Sequence, residues 1–292
     1  MKFLAYLVSG ISLGSIYAII ALGYTMVYGI SKMLNFAHGD VIMIGGYVSF
    51  LTAVNLGLSP LISVLIAMVA CTLLGILIEA LAYRPLRDAP SLAVLITAIG
   101  VSYLLQNTAL LIFGANPKAY TPVVSGTLQL FDGQLSISHV SLLTIACCIV
   151  IMVGLTIFTE KARMGKAMRA CSEDKGAAQL MGINVNRTIS LTFAIGSALA
   201  AVAGALLCSF SPTLMPTTGA MPGIKAFTAA VFGGIGSIPG AFLGGILLGV
   251  IESLAKAYIS TQLSNSVVFA VLIIVLLVRP AGLLGKNTQE KV

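Results

Sequence analysis

Charged side chains are scarce in this sequence: Asp, Glu, Lys and Arg make up only 9% of 292 residues, against roughly 25% in a typical soluble domain. Hydrophobic residues make up 58%. A water-soluble monomer cannot cover its surface with so few charges, because large exposed apolar patches lead to association. The composition therefore disfavours a soluble enzyme, a nucleic-acid-binding module and a disordered tail. It predicts an integral membrane protein.

Residue patterns that carry catalysis are also missing. Two histidines cannot make a metal site, and there is no Ser-His-Asp, H-E-x-x-H or G-x-x-x-x-G-K-[ST] arrangement. We therefore expect no catalytic residue, no metal, no cofactor and no ATP bound through that last motif. The five cysteines show no metal spacing and are predicted to be small core residues.

Intramembrane charges mark functional sites by default, because burying one is costly unless it is paired. Glu79 lies close to Arg84, and Glu252 lies close to Lys256. Both pairs fall near the ends of predicted spans, so we expect them to reach the membrane interface. An ion-coupled carrier would need a buried carboxylate, and the sequence offers no convincing one.

Long charge-free runs recur along the chain. A spanning helix needs about 20 apolar residues, and a barrel strand would alternate polar and apolar positions, which these runs do not. They predict an all-α, polytopic helix bundle that forms one transmembrane domain over residues 1–292. The eight candidate spans lie in residues 3–31, 41–78 (two spans divided at 55–60), 89–117, 133–159, 188–212, 226–251 and 257–278.

The orientation follows from the basic residues, which collect in cytoplasmic loops. The loop of about 160–187 contains Lys161, Arg163, Lys166, Arg169, Lys175 and Arg187 and is predicted to be cytoplasmic. The basic residues after position 278 would lie outside if 226–251 crossed the membrane once. The Gly- and Pro-rich segment 232–240 suits a second crossing or a re-entrant hairpin instead. We therefore predict eight or nine segments, with a Gly-broken re-entrant or short helix near 225–240 and the C-terminus inside.

A polar cluster, residues 32–40, allows two interpretations. It is either an ordinary cytoplasmic turn in which Asp40 caps the second helix, or a segment that enters the membrane beside a transport pathway. Apolar segments broken by Gly or Pro in both halves of a sequence favour the pathway. The candidate pathway residues are Asn35, His38, Gly39, Gly45, Gly46, Gly233, Gly234, Gly236, Pro239 and Gly240.

The basic loop also predicts a short helix. Ser172 is placed to cap it, with Glu173 and Asp174 in its first turn, and Gly182 is placed to end it. Its apolar face would consist of Ala177, Leu180 and Met181. Such a helix either docks into a groove of a partner protein or packs on its own bundle.

Three blocks of sequence closely resemble the smaller inner-membrane permease of bacterial branched-chain amino acid ABC importers. They are residues 23–29 (GYTMVYG) with 33–39 (MLNFAHG), the loop 173–184, and 222–227 (PGIKAF) running into 233–240 (GGIGSIPG). The resemblance covers essentially the whole chain. It is less specific for the substrate, because urea and short-chain amide permeases look similar.

The resemblance implies a complex in the bacterial inner membrane. Two permease subunits, the second one a homologue of this chain, form the pathway in the lipid bilayer. Two cytoplasmic ATP-binding subunits drive it, and a periplasmic substrate-binding protein delivers the substrate; no nucleic acid is involved. The positions implied to contact an ATPase are Arg169, Glu173, Ala177, Leu180, Met181, Gly182, Ile183 and Asn184. Two alternatives stay open: the same machinery carrying urea, an amide or another small solute, and a stand-alone ion-coupled carrier or channel.

Overall fold

The computed structural model describes residues 2–87, 89–130 and 135–285. In these ranges the chain is mainly helical, and the strands pair only two at a time. The helices are α1 (Lys2–Ser31), α2 (His38–Asn55), α3 (Pro60–Ile78), α4 (Ser91–Phe113), α5 (His139–Lys161), α6 (Arg163–Glu173), α7 (Lys175–Leu180), α8 (Val185–Phe210), α9 (Ala220–Gly233), α10 (Ile238–Tyr258) and α11 (Ser264–Val278). The strands are β1 (Lys118–Ala119), β2 (Thr127–Leu130), β3 (Leu135–Ser138) and β4 (Thr213–Leu214).

Six of these helices are long and apolar enough to cross a membrane: α1, α3 with its continuation to Leu86, α4, α5, α8 and α10. Helix α11 is apolar but has only 15 residues, α9 has 14, and α2 carries His38 and Asp40 in its first turn. The prediction of an all-α, polytopic membrane protein is confirmed.

The predicted spans correspond to helices with shifted ends. The start of the span predicted over 133–159 lies outside the described residues, and α5 begins at His139. The run 226–251 is divided between α9 and α10, which are separated by a turn at residues 234–237. Pro239 stands in the first turn of α10, where a missing amide hydrogen costs nothing, and the Ser237 hydroxyl accepts a hydrogen bond from the Gly240 amide.

Small residues let the central helices approach closely. Helix α1 packs along α10, and a Cβ added to Gly14 or to Gly249 would overlap the backbone of the facing helix. Helix α3 packs on α8 in the same way, with Gly75 against Ser197. Small residues at interfaces are what allow helices to pack inside a membrane, where apolar contact alone gives no preference for protein over lipid.

The loop helices α6 and α7 lie at the end of the bundle where α1 ends and α8 begins, and we call this the basic end. Lys175 Nζ donates a hydrogen bond to the Ser31 carbonyl oxygen at 2.9 Å, which ties α7 to the end of α1. The opposite end contains the two small sheets. Strand β1 pairs antiparallel with β4, and the hydroxyls of Ser49 and Tyr120 are hydrogen bonded at 2.7 Å.

The cysteine prediction is confirmed. All five are free; four are buried and Cys147 is half-buried.

Candidate functional site

The chain re-enters the bundle directly after α1. Lys32 adopts a left-handed backbone (φ 59°), and the following segment returns until His38 lies against Gly23, well before the end of α1. A Cβ on Gly23 would stand 2.7 Å from His38 Nε2, so the histidine ring needs glycine there. Tyr83 donates a hydrogen bond to Asn35 Oδ1 at 2.9 Å and holds the returning segment. The polar cluster therefore enters the bundle, and the interpretation as an ordinary surface turn is wrong.

Asp40 is not the cap of α2. The cap position is Ala37, without a side-chain hydrogen bond, and Asp40 lies in the first helical turn. Its carboxylate accepts a hydrogen bond from Gln106 Nε2 of α4 at 2.9 Å instead.

Helix α9 begins beside the start of α2. A Cβ on Gly39 would meet the Gly219 carbonyl oxygen, and a Cβ on Gly219 would meet that of Gly39. The two helices then run in opposite directions. Gly46 of α2 reaches Leu214 at the β-sheet end, whereas Gly236, just after α9, contacts Gly29 near the basic end. Two short helices thus start back to back inside the bundle.

A lateral groove, the α4 groove, opens between α4 and the starts of α2 and α9. It consists of two adjoining cavities of about 370 and 340 Å³ that share Tyr103 and Gln106. The remaining lining residues are Phe36, Asp40, Leu95, Ile99, Ser102, Ala220 and Ile224 in the first cavity, and Asn107, Leu110, Ala115, Met215, Pro216 and Thr217 in the second. Helix α4 is poorly covered, and it exposes Asn107 and Thr108 as well as apolar side chains.

The predicted pathway residues fall into two separate places. Asn35, His38 and Gly39 surround the start of α2, and Gly45 and Gly46 pack against α8 a turn or two further on. The second set, Gly233, Gly234, Gly236, Pro239 and Gly240, forms the turn between α9 and α10. The structure does not bring the two sets together. Gly219 instead meets the start of α2, and sequence reasoning missed it because this contact joins two segments that are far apart along the chain.

The turn between α9 and α10 owes its shape to glycine. Gly234 and Gly236 have φ of 106° and 93°, a region that side chains avoid. The Phe232 and Gly233 carbonyl oxygens accept hydrogen bonds at 2.9 Å from the Leu283 and Leu284 amides, so the segment after α11 completes the end of α9.

The predicted loop helix exists, but its start differs. Ser172 lies inside α6 and donates its hydroxyl to the Arg169 carbonyl oxygen, and Glu173 is the last residue of α6. The cap of α7 is Asp174, whose Oδ1 accepts from the Ala177 amide at 3.0 Å. Asp174 also has the extended backbone that separates α6 from α7 (φ −152°).

The far end of α7 matches the prediction. Gly182 has φ 82° and ends the helix in the left-handed conformation, and Asn184 caps α8 by accepting from the Arg187 amide. Ala178 is the side chain that faces the bundle. Leu180 is 90% exposed and Met181 83%, so the apolar face points away from the protein. Ile183 is half-buried, and Arg169 donates to the Glu160 carbonyl oxygen.

The two acidic residues expected at the interface are buried. Glu79 is 0% exposed and pairs with both Arg84 and Arg87, while Ser190 of α8 donates to it at 2.6 Å. The carboxylates themselves are not exposed, whereas their partners Arg84 and Lys256 keep 44% and 41% of their side chains exposed.

Glu252 is 1% exposed and accepts from Tyr17 of α1, from Lys225 of α9 at 2.7 Å and from Lys256 at 2.6 Å. Sequence reasoning missed the pair with Lys225, since these residues lie on different helices.

The comparisons with known proteins agree over the whole chain. Residues 6–277 match the family described as "Branched-chain amino acid transport system / permease component". The high-affinity branched-chain amino acid transport system permease protein LivH of Escherichia coli K12 is 48% identical over 310 residues, which cover 100% of this chain and 98% of that protein. BraD of Pseudomonas aeruginosa PAO1, described in the same words, is 46% identical over 301 residues, 99% of this chain and 98% of that protein. The probable branched-chain amino acid transport permease protein LivH of Methanocaldococcus jannaschii is 30% identical over 290 residues, 93% and 89% of the two chains.

A multi-pass helix bundle that encloses two short helices and presents an exposed basic loop belongs to the class of membrane transport permeases. Within this class, the chain belongs to the family of permease components of branched-chain amino acid transport systems.

Proposed function

We propose that this chain is the permease subunit of an ATP-driven ABC importer in the bacterial inner membrane, and that it carries branched-chain or similar hydrophobic amino acids inward. The observation that carries the proposal is the 48% identity with LivH of E. coli over the full length of both chains. Such a subunit performs no catalysis itself, and ATP hydrolysis is the task of partner ATPases.

We infer nine membrane segments in a single transmembrane domain: the six long spans together with α2, α9 and α11. The basic end is cytoplasmic. This orientation is supported by the positive charges of the α6–α7 loop and by the arginines around Glu79 at the same end. It leaves the small β-sheets on the periplasmic side, where a substrate-binding protein arrives.

Helix α7 is the proposed docking element for an ATPase subunit. Leu180 and Met181 form an apolar tip on a short, capped helix, which is the form that inserts into a hydrophobic groove of a partner. Ala177 and Gly182 are exposed beside this tip, and Glu173 and Asn184 frame the helix with polar groups. Arg169 and Ile183 complete the proposed contact region.

Docking there connects to the interior of the bundle. Helix α7 is tied to the end of α1 through Lys175 and Ser31, and Asn184 at its far side caps α8. When ATP binding draws two ATPases together, displacement of α7 shifts the end of α1 and the start of α8. The starts of α2 and α9 pack against these helices inside the bundle. Asn35, His38, Gly39, Gly45 and Gly46 are the proposed pathway and packing positions at that point, and Gly233 to Gly240 form the proposed flexible turn.

A second permease subunit covers the α4 groove in this proposal. The support is the polar character of the uncovered face, since Ser102, Gln106 and Asn107 would otherwise face hydrocarbon, where polar groups are expensive. The pathway then runs between the two subunits along this groove.

The test is purification of the tagged chain in mild detergent, followed by reconstitution. We expect ATPases and a second permease to copurify, and ATP-dependent uptake of labelled leucine once the binding protein is added. Uptake of urea or a short-chain amide but not leucine would replace the substrate and keep the machinery. A chain that purifies alone and drives uptake on an ion gradient without ATP would overturn the proposal.

A further inference from the structure

Asp40 differs from the other buried carboxylates of the bundle. Glu79 and Glu252 each contact two cationic side chains. Asp40 is 2% exposed, yet within residues 2–87, 89–130 and 135–285 it has no cation within ion-pair distance. Burying a carboxylate without a counter-charge costs several kcal/mol, so its presence there calls for a function.

The carboxylate is held by neutral groups only. Gln106 Nε2 donates to Asp40 Oδ1 at 2.9 Å and to Ser102 Oγ at 3.2 Å, so two residues of α4 fix one acid of α2. An ionised carboxylate accepts about four hydrogen bonds, and the Gln106 amide, the Ser102 hydroxyl and the backbone amide of Asp40 itself use only part of this capacity. The remaining capacity is available to a cationic donor.

Asp40 stands at the wall of the first cavity of the α4 groove, which has a volume of about 370 Å³. Apolar side chains form much of the remaining wall, namely Phe36, Leu95, Ile99, Ala220 and Ile224. The polar groups, Asp40 with Ser102, Tyr103 and Gln106, lie beside this apolar wall. One acid next to an apolar wall suits a small molecule with a cationic head and a hydrocarbon side chain.

The start of α9 supplies the complementary feature. Ala220, its first residue, lines the same cavity, and the positive dipole end of a 14-residue helix favours an anionic group. A carboxylate on one wall and a helix start on the other match the ammonium and carboxylate groups of an amino acid.

We propose that Asp40 binds the α-ammonium group of the amino acid as it passes through the α4 groove, with Gln106 and Ser102 as positioning residues. This assignment rests on the proposed function and identifies Asp40 as the side chain that contacts the substrate in the α4 groove. Asp40 replaces part of the water around the ammonium group. Because it is a single carboxylate that already accepts hydrogen bonds from neutral donors, it binds the ammonium group weakly enough for release. The apolar wall accepts the branched side chain.

The experiment uses the complete complex in proteoliposomes, with the binding protein saturated with labelled leucine so that substrate capture is constant. Asp40→Asn keeps the shape and removes the charge, and Glu160→Gln, at an exposed position, is the matched control. A hydrogen bond to a charged group is worth about 1.5–3 kcal/mol, so we expect ATP-dependent leucine uptake to fall about tenfold or more in Asp40→Asn. Stimulation of the ATPase by the loaded binding protein should stay within about twofold of wild type, because docking is untouched.

Leucine uptake by Asp40→Asn at the wild-type rate would overturn the proposal. Failure of the wild-type complex to take up leucine would instead overturn the proposed function. If Asp40→Asn does not assemble, Gln106→Met is tested instead. This variant keeps the Asp40 carboxylate but removes the amide that positions it. We then expect a higher half-saturating concentration of loaded binding protein or a lower maximal uptake, and wild-type values of both would reject the assignment.

Discussion

Gly39 and Gly219 contact each other through their backbones, each occupying the space where the other would carry a Cβ. This reciprocal contact joins the starts of α2 and α9, which then diverge toward opposite ends of the bundle. Backbones approach this closely inside a membrane protein only where side chains are absent.

Gly219→Ala should therefore destabilise the protein. Its methyl group would overlap the Gly39 carbonyl oxygen, and overpacking of this kind costs about 1–3 kcal/mol. Thermal unfolding in detergent measures the change. Gly100→Ala and Gly154→Ala are the matched controls, because nothing lies within 4 Å of a Cβ there, and equal melting temperatures for all three variants would contradict the contact.

Glu252→Gln should destabilise the bundle more strongly. It leaves the buried Lys225 ammonium without a carboxylate, and breaking a buried pair costs about 3–5 kcal/mol. The double variant Glu252→Gln with Lys225→Met removes both charges and should recover part of the lost stability. A double variant no more stable than Glu252→Gln would show that the two charges do not compensate each other.

Leu180→Ala should loosen the bound ATPases. A buried apolar anchor at an interface is worth about 1–2 kcal/mol or more, so we expect roughly tenfold weaker retention of the ATPases on the purified permease, with normal membrane insertion. Gln179→Ala, exposed on the same helix, is the control. Glu173→Lys, a charge reversal between α6 and α7, should act in the same direction. Unchanged retention in both Leu180→Ala and Glu173→Lys would remove the docking assignment.

The corrected cap of α7 can be tested separately. Asp174→Ala removes the acceptor of the Ala177 amide hydrogen and should cost about 1 kcal/mol of local stability, whereas Ser172→Ala should have little effect on α7. Hydrogen exchange of the α7 amides distinguishes the two variants, with faster exchange expected only in Asp174→Ala. The reverse order would restore Ser172 as the cap.

The proposed orientation predicts which cysteines a membrane-impermeant maleimide reaches. Native cysteines should react slowly, and in the loop Cys171 is buried, which raises the pKa of its thiol and leaves less of the reactive thiolate at neutral pH. Cysteines introduced at exposed positions report the two faces: Gln179→Cys should be labelled only from the cytoplasm, and Asn116→Cys only from outside. Labelling of Gln179→Cys in intact cells would invert the topology.

The sequence predicted most helices because apolar run length is a local property. It also predicted the break before α10, because glycines mark turns, and Gly234 and Gly236 adopt positive φ angles that other residues avoid. The end of α7 at Gly182 followed from the same reasoning.

What it did not predict depends on contacts between distant residues. The polar segment after α1 returns into the bundle because Gly23 leaves room there for the His38 ring. The sequence of the segment itself does not show whether such room exists. Tyr17 and Lys225 reach Glu252 from two other helices, and Gln106 reaches Asp40 from another helix, so no spacing along the chain predicts these contacts. The α4 groove was missed for this reason, although Asn107 in an apolar run was a visible signal.

The hydrogen bonds between Leu283, Leu284 and the end of α9 impose an order on biosynthesis. The last carbonyl groups of α9 find these partners only after α10 and α11 have left the ribosome. While the chain is being made, the two acceptors at the end of α9 therefore lack the donors that the finished protein gives them. The end of α9 thus reaches its final hydrogen bonding late in the synthesis of the protein.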